Sequence, residues 1–167
     1  MDMGDIIDAP LTLFMTPMSD PKKPVIQQIL DEWEQDAKWD PSDPGIAMSR
    51  IPIIHAKYLR YLREHKAHVR VIEQQLIRER RIRTDYYSGR LDQEQLKKYG
   101  LTPFKFVIKQ EVRDYVESDE SILTLNMKKA NHEQIVELCE SVMKELNNRT
   151  WQISGFMKWQ QFCQGQG

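Results

Sequence analysis

The longest uninterrupted helical pattern in the chain runs from Pro52 to about Ser88, and it constrains the fold more than any other feature. Its apolar side chains, with one histidine in the same register, recur in alternating steps of four and three residues, at Tyr58, Leu62, His65, Val69, Ile72 and Leu76. This is the heptad rhythm of a helix that packs lengthwise on another helix. A helix of about 36 residues is about 54 Å long, which exceeds what a small core can cover. We therefore predict an all-α protein whose long helix packs along a second helix, from its own chain or from another subunit.

Cations and aromatic side chains cluster at the end of this helix. Residues 78–90 read R-E-R-R-I-R-T-D-Y-Y-S-G-R, and the candidate DNA-binding residues are Arg78, Arg80, Arg81, Arg83, Tyr86, Tyr87 and Arg90. Arginine presents a planar fork that fits phosphate oxygens, and a tyrosine ring offers a face on which an unpaired base can stack. The aliphatic seam ends at Leu76, so we expect the last two turns to project beyond the packed zone. This pattern is typical of a protein that holds single-stranded nucleic acid without reading its sequence.

Two simpler interpretations compete with this one. Arginines on a long surface helix can serve solubility alone, and the tyrosine pair can anchor the helix end in the core. The charge distribution favours a polyanion site. Residues 1–50 contain four Lys/Arg and ten Asp/Glu, residues 51–90 contain ten and four, and residues 91–167 contain ten and eleven. The resulting charges of −6, +6 and −1 place nearly all the positive excess of a near-neutral protein on one element.

Shorter helices are predicted before and after the long one. A first helix begins at Pro24 and ends before Pro41. Residues 91–103 read as a polar connector that ends at Pro103, and residues 104–116 favour a helix over a strand. Ser118 and Asp119 can cap a further helix that extends to about Leu146 and that Asn147-Asn148 ends. The apolar face predicted for it consists of Leu123, Met127, Ala130, Ile135, Leu138, Val142 and Leu146.

The C-terminal segment predicts a last helix from Trp151 to Phe162. It is apolar over more than half of its circumference, and the candidate oligomerisation residues are Ile153, Phe156, Met157, Trp159 and Phe162. A helix apolar over so wide an arc is buried on two sides. A monomer of this size rarely covers both sides of its terminal helix, so we predict self-association through this helix.

No motif for catalysis, cofactor or metal stands out. The chain lacks a Gly-x-x-x-x-Gly-Lys-Ser/Thr loop and a Gly-x-Ser-x-Gly turn, so we expect neither ATP hydrolysis nor another enzymatic activity. His65 and His68 have no carboxylate or cysteine at ligand spacing, which favours seam or solvent histidines over a metal site. No apolar run approaches the ~20 residues of a membrane span, and the N-terminus is acidic. We expect a cytoplasmic protein with reduced Cys139 and Cys163.

The motif Asp85-Tyr86-Tyr87-Ser88-Gly89-Arg90, preceded by basic residues on a long helix, resembles the UvsY-like recombination mediator proteins of T-even-type bacteriophages. The resemblance covers roughly residues 31–165. It extends to a C-terminal pattern of Ser118-Asp119, Leu138-Cys139-Glu140, Arg149, Gln152-Ile153, Trp159 and Phe162.

This resemblance implies a specific function. UvsY-like proteins are α-helical, form ring-like homo-oligomers, and help a phage recombinase load onto single-stranded DNA coated by a phage single-strand-binding protein. It thus implies three partners, namely single-stranded DNA, the recombinase and the single-strand-binding protein, and a hexameric or heptameric ring in the cytoplasm of an infected bacterial host. Two basic residues before the tyrosine pair serve DNA binding in the family, and the motif places them at Arg81 and Arg83.

The chain departs from the family pattern in two regions. The acidic, proline-containing leader, residues 1–23, has no counterpart, and the connector at residues 91–103 differs from the glycine- and acid-rich segment of the family. We predict that residues 24–167 form a single helical domain. A non-enzymatic helical scaffold with an incidental basic patch remains the alternative function.

Overall fold

A computed structural model of the chain describes residues 23–103 and 107–165. Its elements are α1 (Val25–Asp36), α2 (Pro44–Tyr87), α3 (Gln93–Tyr99), α4 (Val112–Glu117) and α5 (Glu120–Cys163). Every regular element in those ranges is an α-helix, which confirms the predicted all-α class. None of these helices is both long and apolar enough to cross a membrane. Most of the predicted leader and residues 104–106 lie outside the described ranges. The helix that we favoured over residues 104–116 is wrong for residues 107–111, since α4 begins only at Val112.

The chain divides into two compact units, Met1–Lys38 and Trp39–Gly167. The described part of the first unit contains α1, in which Lys23 Nζ and Gln27 Nε2 donate hydrogen bonds of 2.8 and 2.9 Å to the Asp31 carboxylate. These two bonds lower the pKa of Asp31. The helix ends at Asp36, four residues earlier than Pro41 requires. The predicted leader boundary after residue 23 stays a prediction.

In the second unit, α2 packs lengthwise along α5 of the same chain. Five of the six predicted seam residues of α2 are buried, namely Tyr58, Leu62, His65, Ile72 and Leu76. The buried residues in the second half of α5 follow the same steps of four and three, at Ile135, Cys139, Val142, Leu146, Arg149 and Ile153. Each fully buried aliphatic side chain contributes about 1.5–3 kcal/mol. The heptad prediction is confirmed, and the second helix comes from the same chain.

The long helix begins eight residues earlier than predicted. Asp43 Oδ1 accepts a hydrogen bond of 2.9 Å from the Ile46 N–H, and Pro44 occupies the first helical turn. Both arrangements favour a helix start. The sequence Asp43-Pro44-Gly45 therefore forms the start of α2, and Pro52, where we predicted that start, lies inside the helix.

The second long helix also differs from its prediction. Asn147 and Asn148 do not end it, because asparagine inside a helix costs at most about 0.7 kcal/mol and burial on both sides, at Leu146 and Ile153, outweighs that cost. The predicted face is wrong at its start, since Leu123 and Met127 are exposed and Ile122 is fully buried. The predicted connector contains the short helix α3, which begins with a capping box between Asp92 and Gln95.

The last turns of α2 are covered rather than projecting. Ile72 and Leu76 form a buried cluster with Val112 and Val116 of α4 and Ile122 of α5, and Tyr87 packs against it. The predicted projection of the helix end is therefore wrong. Apolar residues from the segment that follows α3 extend the seam where the residues of α2 itself become polar.

Candidate nucleic-acid interface

The Asp-Tyr-Tyr-Ser-Gly-Arg motif forms the C-terminal cap of α2. Gly89 has a φ of 67°, which is the left-handed region that favours glycine. Its N–H donates to the Tyr86 carbonyl, and the Arg90 N–H donates to the Asp85 carbonyl, at 3.0 and 2.9 Å. This pair of bonds is a Schellman motif, which ends α2 at the glycine. Arg90 is thereby held close to the last turn of α2.

Helical spacing sorts the side chains of the α2 end into three stripes. Residues four apart lie on one face, so Glu79, Arg83 and Tyr87 form one stripe and Arg80, Thr84 and Ser88 form the next. Arg78 and Arg81 lie on the outer face, away from the seam residue Leu76. The first stripe faces the start of α5, and the second faces α4.

The first stripe belongs to a group that we call the carboxylate side, made of Glu79, Arg83, Tyr87, Asp119 and Ser121. Arg83 Nε lies 2.9 Å from Glu79 Oε1, 3.3 Å from Asp119 Oδ1 and 3.1 Å from Ser121 Oγ. The Tyr87 hydroxyl donates a hydrogen bond of 2.8 Å to Asp119 Oδ2. Only 17% of the Arg83 side chain and 8% of the Asp119 side chain are exposed. Arg83 is therefore committed to ion pairs inside the fold.

Titration behaviour follows from these contacts. Burial, and then the hydrogen bond to the Asp119 carboxylate, raise the pKa of Tyr87 to about 12. Burial alone would raise the pKa of Asp119, but hydrogen bonds from Ser121 and Tyr87, together with the Arg83 charge, outweigh it and lower that pKa. Asp119 also caps α5, because its Oδ1 accepts a 2.9 Å hydrogen bond from the Ser121 N–H.

The second stripe lines an open cleft of about 340 Å³ between the end of α2 and α4, which we call the basic cleft. Its polar lining consists of Arg80, Thr84, Ser88, Arg90, Lys109, Arg113 and Glu117. Four cations face one carboxylate, a net charge of +3. Arg80 Nη2 lies 3.3 Å from Glu117 Oε2, and Arg90 Nη1 lies 3.6 Å from Asp85 Oδ1. Both are long, partly exposed ion pairs, which contribute little to stability.

On the outer face, Arg78 and Arg81 are exposed. Neither forms an ion pair with any residue that the structure describes, whereas Arg80, Arg83 and Arg90 all do. The predicted DNA-binding arginines therefore do not form one uniform patch. Two point into solvent, two line the basic cleft, and one is held on the carboxylate side.

The tyrosine pair contacts the protein on both sides of α2. The Tyr86 hydroxyl donates a hydrogen bond of 2.9 Å to the Thr102 carbonyl, and the Tyr87 carbonyl accepts one of 3.3 Å from the Val107 N–H. The two rings are 5.0 Å apart, and both are partly buried. These bonds hold Thr102 and Val107, which both lie between α3 and α4, against the end of α2. The anchoring interpretation thus has structural support for both rings, and base stacking stays a prediction.

The predicted oligomerisation residues also divide. Ile153 is fully buried within the single chain, so it belongs to the protomer core. The Phe156 ring packs edge-on against Trp39 at 5.7 Å. Met157, Trp159 and Phe162 are exposed, and 61% of Trp159 and 79% of Phe162 face solvent. The exposed part of the predicted interface is therefore the last turns of α5.

His65 lies in the α2–α5 seam, as its register predicts. Its Nδ1 is 2.8 Å from His132 Nδ1, so one ring donates to the other, and His68 stacks on His132 at 4.8 Å. Burial, and then the neighbouring histidines, lower the pKa values of His65 and His132. Within the described ranges, no group of histidine, cysteine or acidic residues has a geometry that could hold a metal ion. Cys139 is a buried free thiol whose pKa burial raises to about 11, and Cys163 is exposed.

Comparison with known proteins identifies the family. The protein-family model described as recombination, repair and single-stranded-DNA-binding protein UvsY matches residues 32–166, which is most of the 167-residue chain. The chain belongs to the UvsY family. This family is one of recombination and single-stranded-DNA-binding mediators and is not a known family of enzymes. A search of curated proteins found no match by sequence.

Solved structures agree on the fold. Two crystal forms of the bacteriophage T4 recombination mediator protein UvsY match the chain with TM-scores of 0.72 and 0.70. They are 18% and 19% identical to it, and the matches cover 81% and 80% of this chain and 95% and 97% of theirs. At this identity the similarity shows that the UvsY fold is shared.

Several residues of the UvsY-like helix end were missed by sequence reasoning. Lys109 and Arg113 in the basic cleft, and Asp119 and Ser121 on the carboxylate side, lie 19 to 31 residues beyond Arg90, the last residue of the arginine cluster. The four-residue spacing of Lys109 and Arg113 was the available signal, because it places both cations on one side of the helix predicted over residues 104–116. In the structure only Arg113 lies in a helix, since α4 begins at Val112. Nothing in the spacing shows which arginine each of these residues approaches.

Proposed function

We propose that this UvsY-family protein binds single-stranded DNA without sequence specificity and promotes loading of a phage recombinase onto DNA coated by a single-strand-binding protein. In this proposal the DNA contacts come from the exposed cations at the α2 end. The protein acts as a homo-oligomeric ring, hexameric or heptameric, in the cytoplasm of an infected bacterial host.

The observation that carries the proposal is the exposure of Arg78 and Arg81 on the outer face of α2, where no described acidic side chain pairs with them. An arginine with an uncommitted guanidinium can bind phosphate oxygens in pairs. Contacts to phosphates position a strand but carry no information about its bases. Binding by these two residues is therefore expected to depend on salt and to tolerate any sequence.

One pair of arginines gives only weak, salt-screened attraction. An oligomer presents the pair once per subunit, so a strand held at one site meets the next at high effective concentration. The exposed aromatic side chains of Trp159 and Phe162 at the end of α5 supply an apolar surface through which subunits can associate. A strand that follows successive subunits is bent, which weakens its contacts with the coating protein and admits the recombinase.

Fluorescence anisotropy of labelled oligo-dT at two salt concentrations tests the DNA step. The expected result is binding that weakens as salt rises, and that weakens further in Arg78→Ala/Arg81→Ala. Sedimentation velocity of Trp159→Ala/Phe162→Ala tests the oligomer, with smaller species expected. Single-turnover loading of a phage recombinase onto coated DNA tests the mediator step.

A helical scaffold with an incidental basic patch is the second candidate. One observation favours it, because Arg83 and Tyr87 from the predicted DNA-binding set are used inside the fold. A scaffold has no need of binding to oligo-dT. Wild-type protein whose anisotropy signal shows no salt-sensitive binding would establish the scaffold and exclude the mediator proposal.

A further inference from the structure

The basic cleft contains more positive charge than the fold needs there. Its net charge of +3 lies against the C-terminal end of α2, where the helix dipole is negative and cations can serve as caps. The last carbonyls of α2 are already engaged, however. Those of Thr84, Asp85, Tyr86 and Tyr87 accept hydrogen bonds from backbone N–H groups of Ser88, Arg90, Gly89 and Val107 respectively. Capping therefore does not account for the cations of the cleft.

Two of these cations come from α4 and the residues just before it. Lys109 and Arg113 are exposed, and neither forms an ion pair within the described ranges. Arg80 is incompletely satisfied, because its Nε is buried without a hydrogen-bond partner among the described atoms and its contact with Glu117 is long. The Ser88 hydroxyl adds a polar group on the same wall of the cleft. The Thr84 hydroxyl also lies there, but it already donates to the Arg80 carbonyl at 2.7 Å. Such a set of donors, with one carboxylate among them, fits an anion rather than a cation or an apolar group.

The cleft is continuous with the outer face that carries Arg81. Arg81 and Ser88 are seven residues apart, so they lie within ~20° of each other around α2 and about 10 Å apart along it. Ser88 lines the cleft, and helical geometry places Arg81 about two turns before it on the same side of α2. Arg78 lies on the same outer face, one turn before Arg81. Asp85 lies on this face four residues after Arg81, but its Oδ1 is 3.6 Å from Arg90 Nη1. A chain of phosphates that leaves Arg78 and Arg81 therefore meets one carboxylate that is already paired with a cation before it reaches the cleft.

The opposite route is unfavourable for DNA. The cavity on the carboxylate side has Glu79, Asp119 and Glu120 against Arg83 and Lys128, a net charge of −1. An approaching phosphate there meets carboxylates that already hold the arginine. The charge difference between the two cavities therefore selects the path over α4.

We propose that the basic cleft is a phosphate-binding subsite for the single strand, in which Lys109 and Arg113 contact the phosphodiester backbone beyond Arg81. This proposal deepens the proposed function and rests on it. Phosphate chemistry in the cleft could equally come from free phosphate or a nucleotide, and we commit to the phosphodiester of a strand. A cleft of about 340 Å³ is within the size range of small-ligand sites, so both sources are testable.

The test compares two double variants with equal loss of charge. Lys109→Ala/Arg113→Ala removes the cleft cations, and Arg60→Ala/Arg63→Ala removes two exposed cations of α2 about 30 Å away along the helix. Anisotropy of labelled oligo-dT is recorded over a salt series. We expect the cleft variant to lower the log–log salt slope by about 0.7 for each lost contact, and the control to keep the wild-type slope. Arg113→Lys, which keeps the charge, should retain most of the affinity.

Sedimentation velocity and circular dichroism should show the wild-type oligomer and helix content in both variants. Equal slope losses in the two variants would overturn the subsite, since they would indicate a diffuse charge effect. An unchanged slope in the cleft variant, with a lowered slope in Arg78→Ala/Arg81→Ala, would remove the cleft while sparing the proposed function. A wild-type protein that binds no oligo-dT would remove the proposed function itself.

Inorganic phosphate distinguishes the two sources. For a strand subsite, millimolar phosphate should compete with oligo-dT no better than sulfate at equal ionic strength. A thermal shift on adding phosphate that Lys109→Ala/Arg113→Ala abolishes, combined with unchanged oligo-dT binding, would make the cleft a free-phosphate site and overturn the proposal.

Discussion

Arg83 and Arg80 are three residues apart on α2, yet the carboxylate side and the basic cleft surround them with opposite net charge. Arg83 lies against Glu79 and Asp119 with little solvent exposure. Arg80 makes one long contact with Glu117, in a cleft where cations outnumber carboxylates. The first arginine is held by contacts inside the fold, and the second lines the cleft that we propose as a phosphate subsite.

The comparison shows that the net charge of a segment does not tell which of its arginines are paired inside the fold. All the arginines of the helix end contribute equally to the +6 of residues 51–90. What separates them is the approach of residues 109–121, which bring two unpaired cations to one side of α2 and Asp119 to the other. A phosphate meets a positive field on one side only.

The largest effect should come from removing Asp119. Asp119→Ala leaves Arg83 and the Tyr87 hydroxyl without their shared partner and removes the N-cap of α5. We expect a loss of about 3 kcal/mol in the free energy of unfolding, measured by urea denaturation at one fixed protein concentration. Glu120→Ala is the matched control, because it removes a neighbouring exposed carboxylate and should cost less than about 0.5 kcal/mol. Equal losses in the two variants would show that the carboxylate side does not hold the fold.

Replacing Arg83 by alanine should lower stability, whereas replacing Arg81 should weaken DNA binding. Arg83→Ala should lower the free energy of unfolding by about 2 kcal/mol, because it leaves Asp119 without its cation in a partly buried site. Arg81→Ala should change stability by less than about 0.5 kcal/mol and lower the oligo-dT salt slope by about 0.7. Denaturation and anisotropy on both variants give the comparison. A stable Arg83→Ala protein with a reduced salt slope would reverse the roles that we assign.

The two tyrosine hydroxyls should also differ in how much they stabilise the fold, by smaller amounts. Tyr87→Phe should cost about 1–1.5 kcal/mol, because it removes a partly buried hydrogen bond to a charged carboxylate. Tyr86→Phe removes a bond to the Thr102 carbonyl, which is exposed, and should cost about 0.5 kcal/mol. Phenylalanine keeps the ring, so stacking on bases would survive in both variants. A larger cost for Tyr86→Phe would mean that the contact with the connector contributes more to stability than the contact with the start of α5.

Much of the fold follows from local pattern. The steps of four and three residues at Tyr58, Leu62, Ile72 and Leu76 specify a seam, and Gly89 specifies the end of α2. These signals are periodic or depend on neighbours within one turn. The start of α2 was missed because Asp43-Pro44-Gly45 suits a turn and a helix cap equally, and the continuity of α5 was missed because tertiary burial outweighs the weak helix propensity of Asn147 and Asn148.

The candidate site was less predictable, for a physical reason. Which arginine is paired depends on residues about 40 positions away that fold back onto α2, as Asp119 does onto Arg83. The heptad pattern predicts that α2 packs along another helix. It does not predict which residues of the segment between α3 and α5 lie beside each residue of α2. The tyrosine pair had two open interpretations for the same reason, since the hydroxyl of Tyr87 is assigned only once Asp119 is in place.

The last prediction concerns the response of the carboxylate side to acid, where only a change in a stability difference is measured. The pKa of Asp119 is lowered in the folded protein, so its charge contributes stability that is present above about pH 4 and is lost as the pH falls through the lowered value. Asp119→Asn keeps an N-capping side chain but has no charge to lose. The stability difference between wild type and Asp119→Asn should therefore be constant at about 1–2 kcal/mol from pH 7 to pH 5 and shrink below pH 4.

The lowered pKa values of His65 and His132 also destabilise the protein as the pH falls below about 6.5, but they do so equally in both proteins and cancel in the difference. Urea denaturation at a series of pH values measures it. A difference that stays constant down to pH 3 would mean that the Asp119 charge is not what holds Arg83.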